Sequence, residues 1–233
     1  MDLATAMAAL EAAGTEQYRK TYRRHGARDP MYGVSFAVMR PLAKRAKRDQ
    51  ALALGLWATG NYDARILACM VADPTVATEQ ELDAWLADID VYVLVDIFVA
   101  SLASQVEGVR ARADRWAAED RDWTSQAGWD LYAQLALNDQ SLDDAFFLGL
   151  LARIERGIGS AGNRTRHSMN GALIAIGVRN EALRAAAEAT SARIGIVIVD
   201  HGQTGCVTPA ASPYIAKVWD RKAAQTGPTN VAV

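Results

Sequence analysis

An aspartate sits alone in an apolar stretch of this 233-residue chain. From Val91 to Ala103 the side chains are apolar or small, and Asp96 is the only charge among them. A carboxylate in such surroundings must be paired, exposed at a helix edge, or functional, because an unpaired buried charge is costly. Tyr92 lies four residues earlier, hence on the same face of a helix. An aromatic ring beside a carboxylate can shield a cationic or electron-poor group. The structural alternative is an ion pair with an arginine of a neighbouring helix, such as Arg65.

The other reactive side chains form no recognisable set. The three histidines are His25, His167 and His201, and the two cysteines are Cys69 and Cys206. None falls in a metal-ligand spacing, and His201 with Cys206 supplies only two ligands, so no metal is expected. Asp200, His201 and Cys206 could be arranged as orienter, base and nucleophile, although their spacing does not require it. Gly157 to Gly162 satisfies the dinucleotide pattern GxGxxG, which needs a preceding strand. The residues before it have a helical period, so a turn is expected and no cofactor. The helix that follows carries Arg164, Arg166 and His167 in its first turn, where free N–H groups could take a single phosphate. No GxSxG, P-loop or kinase set occurs.

Charge is distributed unevenly. The net charge is −2, yet residues 17–48 carry ten Lys and Arg against Asp29 alone, and residues 49–148 carry eighteen acids against five bases. Such asymmetry points to a polyanion partner or to solvated helix faces. A sequence pI near 5.9 confines any nucleic-acid contact to one face. The candidate contacts are Arg19, Arg23, Arg24, Lys44, Lys47 and Arg48, together with Arg164, Arg166 and His167.

The elements that position these residues read as short helices. Asp2 caps a helix that Gly14 ends, Thr15 caps one that stops at Gly26, and Ser35 starts a third. Further helices are expected near 49–59, 62–72, 79–88, 91–104, 107–118, 124–137, 142–156, 164–177, 180–194 and 212–224. The apolar run Ile194 to Val199 is either a short strand or a buried connection. Helix pairs recur every thirty-five to forty residues, the spacing of HEAT or armadillo solenoids, with an irregular bundle as the alternative. One domain is expected over 1–233, with 227–233 as a disordered tail. No membrane span or signal peptide is read, so a cytoplasmic monomer is expected.

Asp63-Ala64-Arg65, Asp73-Pro74, Trp85 and the stretch from Asp88 to Asp96 resemble the DNA alkylation repair family of AlkD-like proteins. Trp123, Gly128-Trp129 and Arg166 to Leu173 are similar to later helices of that family. The resemblance spans most of residues 15–195. It implies an all-α, HEAT-like solenoid whose concave basic face holds duplex DNA. It also implies a metal-independent, monofunctional glycosylase that removes cationic N3- or N7-alkylpurines. Asp96 matches the carboxylate that would stabilise the oxocarbenium ion, and Tyr92 takes the place of the first indole. Val93 replaces the acid that follows, Gln126 a phosphate-binding arginine and Gly171 a second tryptophan. These departures diminish the cradle for a cationic base, and the alternative is a non-catalytic module binding damaged or branched DNA, or a protein partner.

Overall fold

The computed structural model describes residues 1–226, so the tail expected at 227–233 lies outside the described residues. Thirteen α-helices and one π turn make up their regular structure, with no strand among them. The first half holds α1 (Leu3–Ala13), α2 (Glu16–Arg24), α3 (Phe36–Ala46), α4 (Gln50–Ala58), α5 (Tyr62–Val71) and α6 (Glu79–Asp88). Then come α7 (Tyr92–Phe98), continued by the π turn Val99–Ala103, and α8 (Val109–Trp116). The second half holds α9 (Asp122–Asn138), α10 (Asp144–Gly157), α11 (Asn163–Gly177), α12 (Glu181–Ile194) and α13 (Ala211–Thr226).

Side-chain caps explain most of the starts. Asp2, Thr15, Asp49, Asn61, Asp143 and Asn180 each accept the N–H three residues on, satisfying a donor that a helix start leaves free. Thr78 and Glu81 close a reciprocal capping box.

The helices alternate between two layers. The odd ones stack in order, α3 on α5, α5 on α7, α7 on α9, α9 on α11 and α11 on α13. Of the even ones, α4 lies against α5, α8 against α9 and α10 against α12. This is the α-solenoid that the spacing predicts. At Gly128 of α9 an added Cβ would lie 2.2 Å from the Ala117 nitrogen, so glycine permits the close approach of α8.

Two local devices fix α7, and a third fixes the loop after α2. Trp57 and Trp85 stack at 4.1 Å, and the aromatic chain runs on through Phe98 to Trp116, seating α7 on a rigid base. Arg112, which is fully buried, donates to the carbonyls of Ala103 and Glu107, each at 2.7 Å, and pairs with Glu79. It thereby caps the end of the π turn. Asp63 on α5 is also fully buried and accepts the N–H groups of Tyr32, Gly33 and Val34 at 2.6, 3.0 and 2.7 Å. That carboxylate pins the loop after α2 against α5.

The apolar run before Asp200 is neither a strand nor buried. Ile196 is 89% exposed and Ile198 74% exposed, in an irregular segment over 195–210. Val197 still packs against the core, and hydrogen bonds hold the rest. Arg166 donates to the Ile198 carbonyl, and Asn163 exchanges two bonds with the Asp200 backbone. No described helix is long and apolar enough to cross a membrane.

Candidate functional site

Three consecutive odd helices, α7, α9 and α11, bring Tyr92, Asp96, Gln126, Asp130, Arg164 and Ser168 together. Asp96 reaches solvent, but at the bottom of a recess with protein around it on most sides. Its Oδ1 accepts Nε2 of the fully buried Gln126 at 2.6 Å, and the same amide lies 3.3 Å from the Tyr92 carbonyl. Arg65, the partner weighed for Asp96, is engaged elsewhere. It covers the Trp57 ring at 5.0 Å and pairs with Asp88 at 3.7 Å.

The cation at this site is Arg164. Its guanidinium carbon lies 3.8 Å from the Tyr92 ring centroid, and the residue is only 5% exposed. Its Nε is buried without a partner. Enclosure pushes the pKa of Asp96 up to about 6, against the opposing pull of Arg164 and of the Gln126 amide.

Asp130 follows Gln126 by one turn of α9 and faces Ser168 of α11. Burial, then the nearby Asp96 charge, raises its pKa well above the usual carboxylate range. Asp130 Oδ2, Gln126 Oε1 and Ser168 Oγ are all buried without a hydrogen-bond partner. The Ser168 hydroxyl is one donor in this group, and a proton on Asp130 supplies a second.

All three histidines converge on Arg164. His25, just after α2, makes a short contact from Nδ1 to the Tyr92 hydroxyl. His167 Nδ1 and His201 Nε2 share the Thr208 hydroxyl at 3.1 and 2.8 Å, their rings edge to face. Burial lowers the pKa of each, and the Arg164 charge lowers all three further, bringing His167 to about 4. The convergence was invisible at sequence level, since residues 25, 167 and 201 share no spacing. The pair Gln126 and Asp130, polar side chains four apart in a largely apolar helix, was a signal that could have been read.

Three arrangements weighed from the sequence are not formed. Asp122 at the start of α9 accepts the N–H groups of Arg164 and Thr165 at 3.0 and 2.8 Å, so the first turn of α11 already holds an anion of its own. Asp200 accepts the Gly202 N–H, His201 bonds Thr208, and Cys206 is exposed. These three therefore make no nucleophile, base and orienter chain. The glycines of 157–162 form a turn between two helices, without the strand a dinucleotide site needs.

The basic candidates divide. Arg19 and Arg23 pair with Glu16, and Arg23 also with Asp29. Arg23 and Arg24 nevertheless line an exposed shallow pocket with Gln17, Lys20 and Thr21, and His25 joins that helix to the recess. Lys44 and Lys47 are exposed at the end of α3. Arg48 donates to the carbonyls of Met70 and Ala72 and to Gln105, around the C-terminal ends of α5 and the π turn. Arg166 holds the carbonyls of Ile158, Ala161 and Ile198. At Gly171, a further turn along the Arg164 and Ser168 face of α11, an added Cβ would meet nothing within 4 Å.

The chain was compared with known proteins. It is 29% identical over 224 residues to an uncharacterized protein of Listeria innocua, Lin0241, covering 94% of this chain and 96% of the relative. An uncharacterized protein of Listeria monocytogenes, Lmo0209, matches to the same extent. A solved structure aligns with a TM-score of 0.87 at 32% identity over 95% of both chains. It is described as a new family related to the HEAT-like repeat DNA glycosylases, with affinity for branched DNA structures. The family model for DNA alkylation repair enzymes matches residues 6–194. With the helical solenoid and this match over most of its length, the chain belongs to the DNA alkylation repair enzyme family.

Proposed function

We propose that this protein binds branched DNA through its phosphates and does not excise bases. The observation that carries the reading is the Arg164 guanidinium at 3.8 Å over the Tyr92 ring. In the glycosylases that the sequence resembles, ring faces would receive the cationic base and the carboxylate would face the developing sugar cation. Here the protein's own cation covers the ring. Gln126 takes one oxygen of Asp96, and Gly171 leaves open space in place of a second ring. Each loss of about 1.4 kcal/mol of transition-state stabilisation costs tenfold in rate.

DNA contact falls on the face of α2 that carries Lys20, Arg23 and Arg24 and leads through His25 to the recess. The match to a structure whose protein has affinity for branched DNA supports that choice of partner. The test compares a four-way junction with a linear duplex of equal length, alongside release of N7-methylguanine at enzyme excess. Tighter junction binding with no release above the spontaneous rate is expected. Release that disappears in Asp96→Asn would instead establish the glycosylase reading, which the solvent access of Asp96 favours.

A further inference from the structure

Arg164 is a nearly buried cation with almost nothing bound to it. Beyond the backbone bonding of its helix, its one hydrogen bond among the described residues is made by its N–H, to Asp122. The guanidinium has none, and of its nitrogens only Nε is sealed from solvent without a partner. Nη1 and Nη2 are therefore unpartnered and open to the recess. Asp96 lies near enough to feel the charge, and no ion pair joins it to Arg164 among the described residues. A buried, uncompensated charge is strongly unfavourable, so a counter-ion completes such a site.

The groups around it suit an anion. Each histidine keeps one ring nitrogen uncommitted, Nε2 of His25, Nε2 of His167 and Nδ1 of His201. We infer that Arg164 and these three histidines form a binding site for one phosphate group. The inference rests on the DNA-binding reading for the source of that phosphate. A backbone phosphodiester at the branch and a terminal phosphate on a strand end offer the same oxygens.

The groups facing the site fix the sign of its pH dependence. They are Arg24 and His25 after α2, Tyr92 and Asp96 on α7, and Asp130 on α9. Arg164 and His167 on α11 join them, with Asp200, His201 and Cys206 on the 195–210 segment. Arg164 disfavours protonated histidines in the free protein, and a bound phosphate reverses that. Protonating Asp96 removes a competing negative charge. Both effects strengthen binding as pH falls from 8 to 6.

The experiment measures junction affinity for the whole chain and for Arg164→Gln and His201→Gln, at pH 6 and pH 8. Strand ends are either phosphorylated or not. Histidine side-chain NMR with inorganic phosphate runs alongside, and circular dichroism checks the fold of both variants. A roughly tenfold loss in Arg164→Gln, with a smaller pH effect in His201→Gln, supports the site. Loss confined to phosphorylated ends assigns the terminal phosphate, and an equal loss without them assigns the backbone. If Arg164→Gln does not fold, His201→Gln and the NMR titration decide. Undiminished junction binding in the folded variants overturns the site while leaving the DNA reading intact. If no DNA binds at all, the DNA reading fails. Histidine shifts with inorganic phosphate then support the site alone, and their absence overturns it.

Discussion

Asp122 Oδ1 accepts both the backbone N–H and the hydroxyl of Thr165, each at 2.8 Å. This one carboxylate joins α9 to the first turn of α11, the helix that carries Arg164. Gly162 makes room for it, because a Cβ there would lie 2.4 Å from the same oxygen. Asp122→Ala should therefore cost about 1–2 kcal/mol, the range for a lost helix cap. Urea unfolding checks this through a lower midpoint at unchanged slope.

Asp63→Ala should cost more. It strips acceptors from three backbone N–H groups, two of them in buried bonds. A buried donor left without a partner costs about 1–3 kcal/mol, so a loss of about 3 kcal/mol or more is expected. Asp63→Asn, which keeps one acceptor oxygen, should fall between the two. Thermal unfolding of the pair of variants tests the order.

Stability should fall as pH rises through the mildly acidic range. Asp96 and Asp130 both have folded-state pKa values above the ordinary carboxylate value of 3.8. Their protonated forms are favoured on folding, so their contribution is complete below that value. It is lost as pH climbs through about 6 for Asp96. Asp130→Asn removes the buried titration and should be more stable than the parent at pH 8, by about 1 kcal/mol. Denaturation at pH 5 and pH 8 measures the difference, and an unchanged pH slope in Asp130→Asn would contradict the assignment.

Gly171→Trp should be tolerated. An added Cβ meets nothing within 4 Å at this exposed position, and replacing glycine within a helix recovers up to about 1 kcal/mol. Base release should remain at the spontaneous rate in this variant, because Arg164 still covers Tyr92. A release assay on alkylated duplex gives the answer directly.

Charge reversal at Arg23 and Arg24 should weaken junction and duplex alike. The dependence of affinity on salt should fall by about one unit for each phosphate contact removed. Reversal at Lys44 and Lys47, at the end of α3, provides the comparison. An equal effect at both places would mean that the contact extends along the whole basic segment.

The helices were legible because their signals are local. Asp2, Thr15 and Asn61 mark starts through contacts three residues away, and Gly26 ends α2 with a positive φ of 91°. The apolar run after Ile194 misled, because β-branched residues specify neither a strand nor burial without a neighbour to pair with. The site was only half legible. Tyr92 and Asp96 share one helix, so their spacing puts them on one face. His25 meets Tyr92 across 67 positions, a contact set by how the end of α2 meets α7 rather than by any periodicity. The free helix start expected at α11 was filled from α9, by Asp122, 42 positions away from Arg164.

The segment over 195–210 hangs from one face of α11. Asn163, Arg166, His167 and Asn170 hold it at Asp200, Ile198, Thr208 and Pro209. It also begins where the match to the family model ends, at residue 194. His201 and Thr208 are thus delivered to Arg164 by a stretch outside the repeating architecture. Lengthening or trimming that stretch would retune what reaches the guanidinium while leaving α7 and α9 undisturbed.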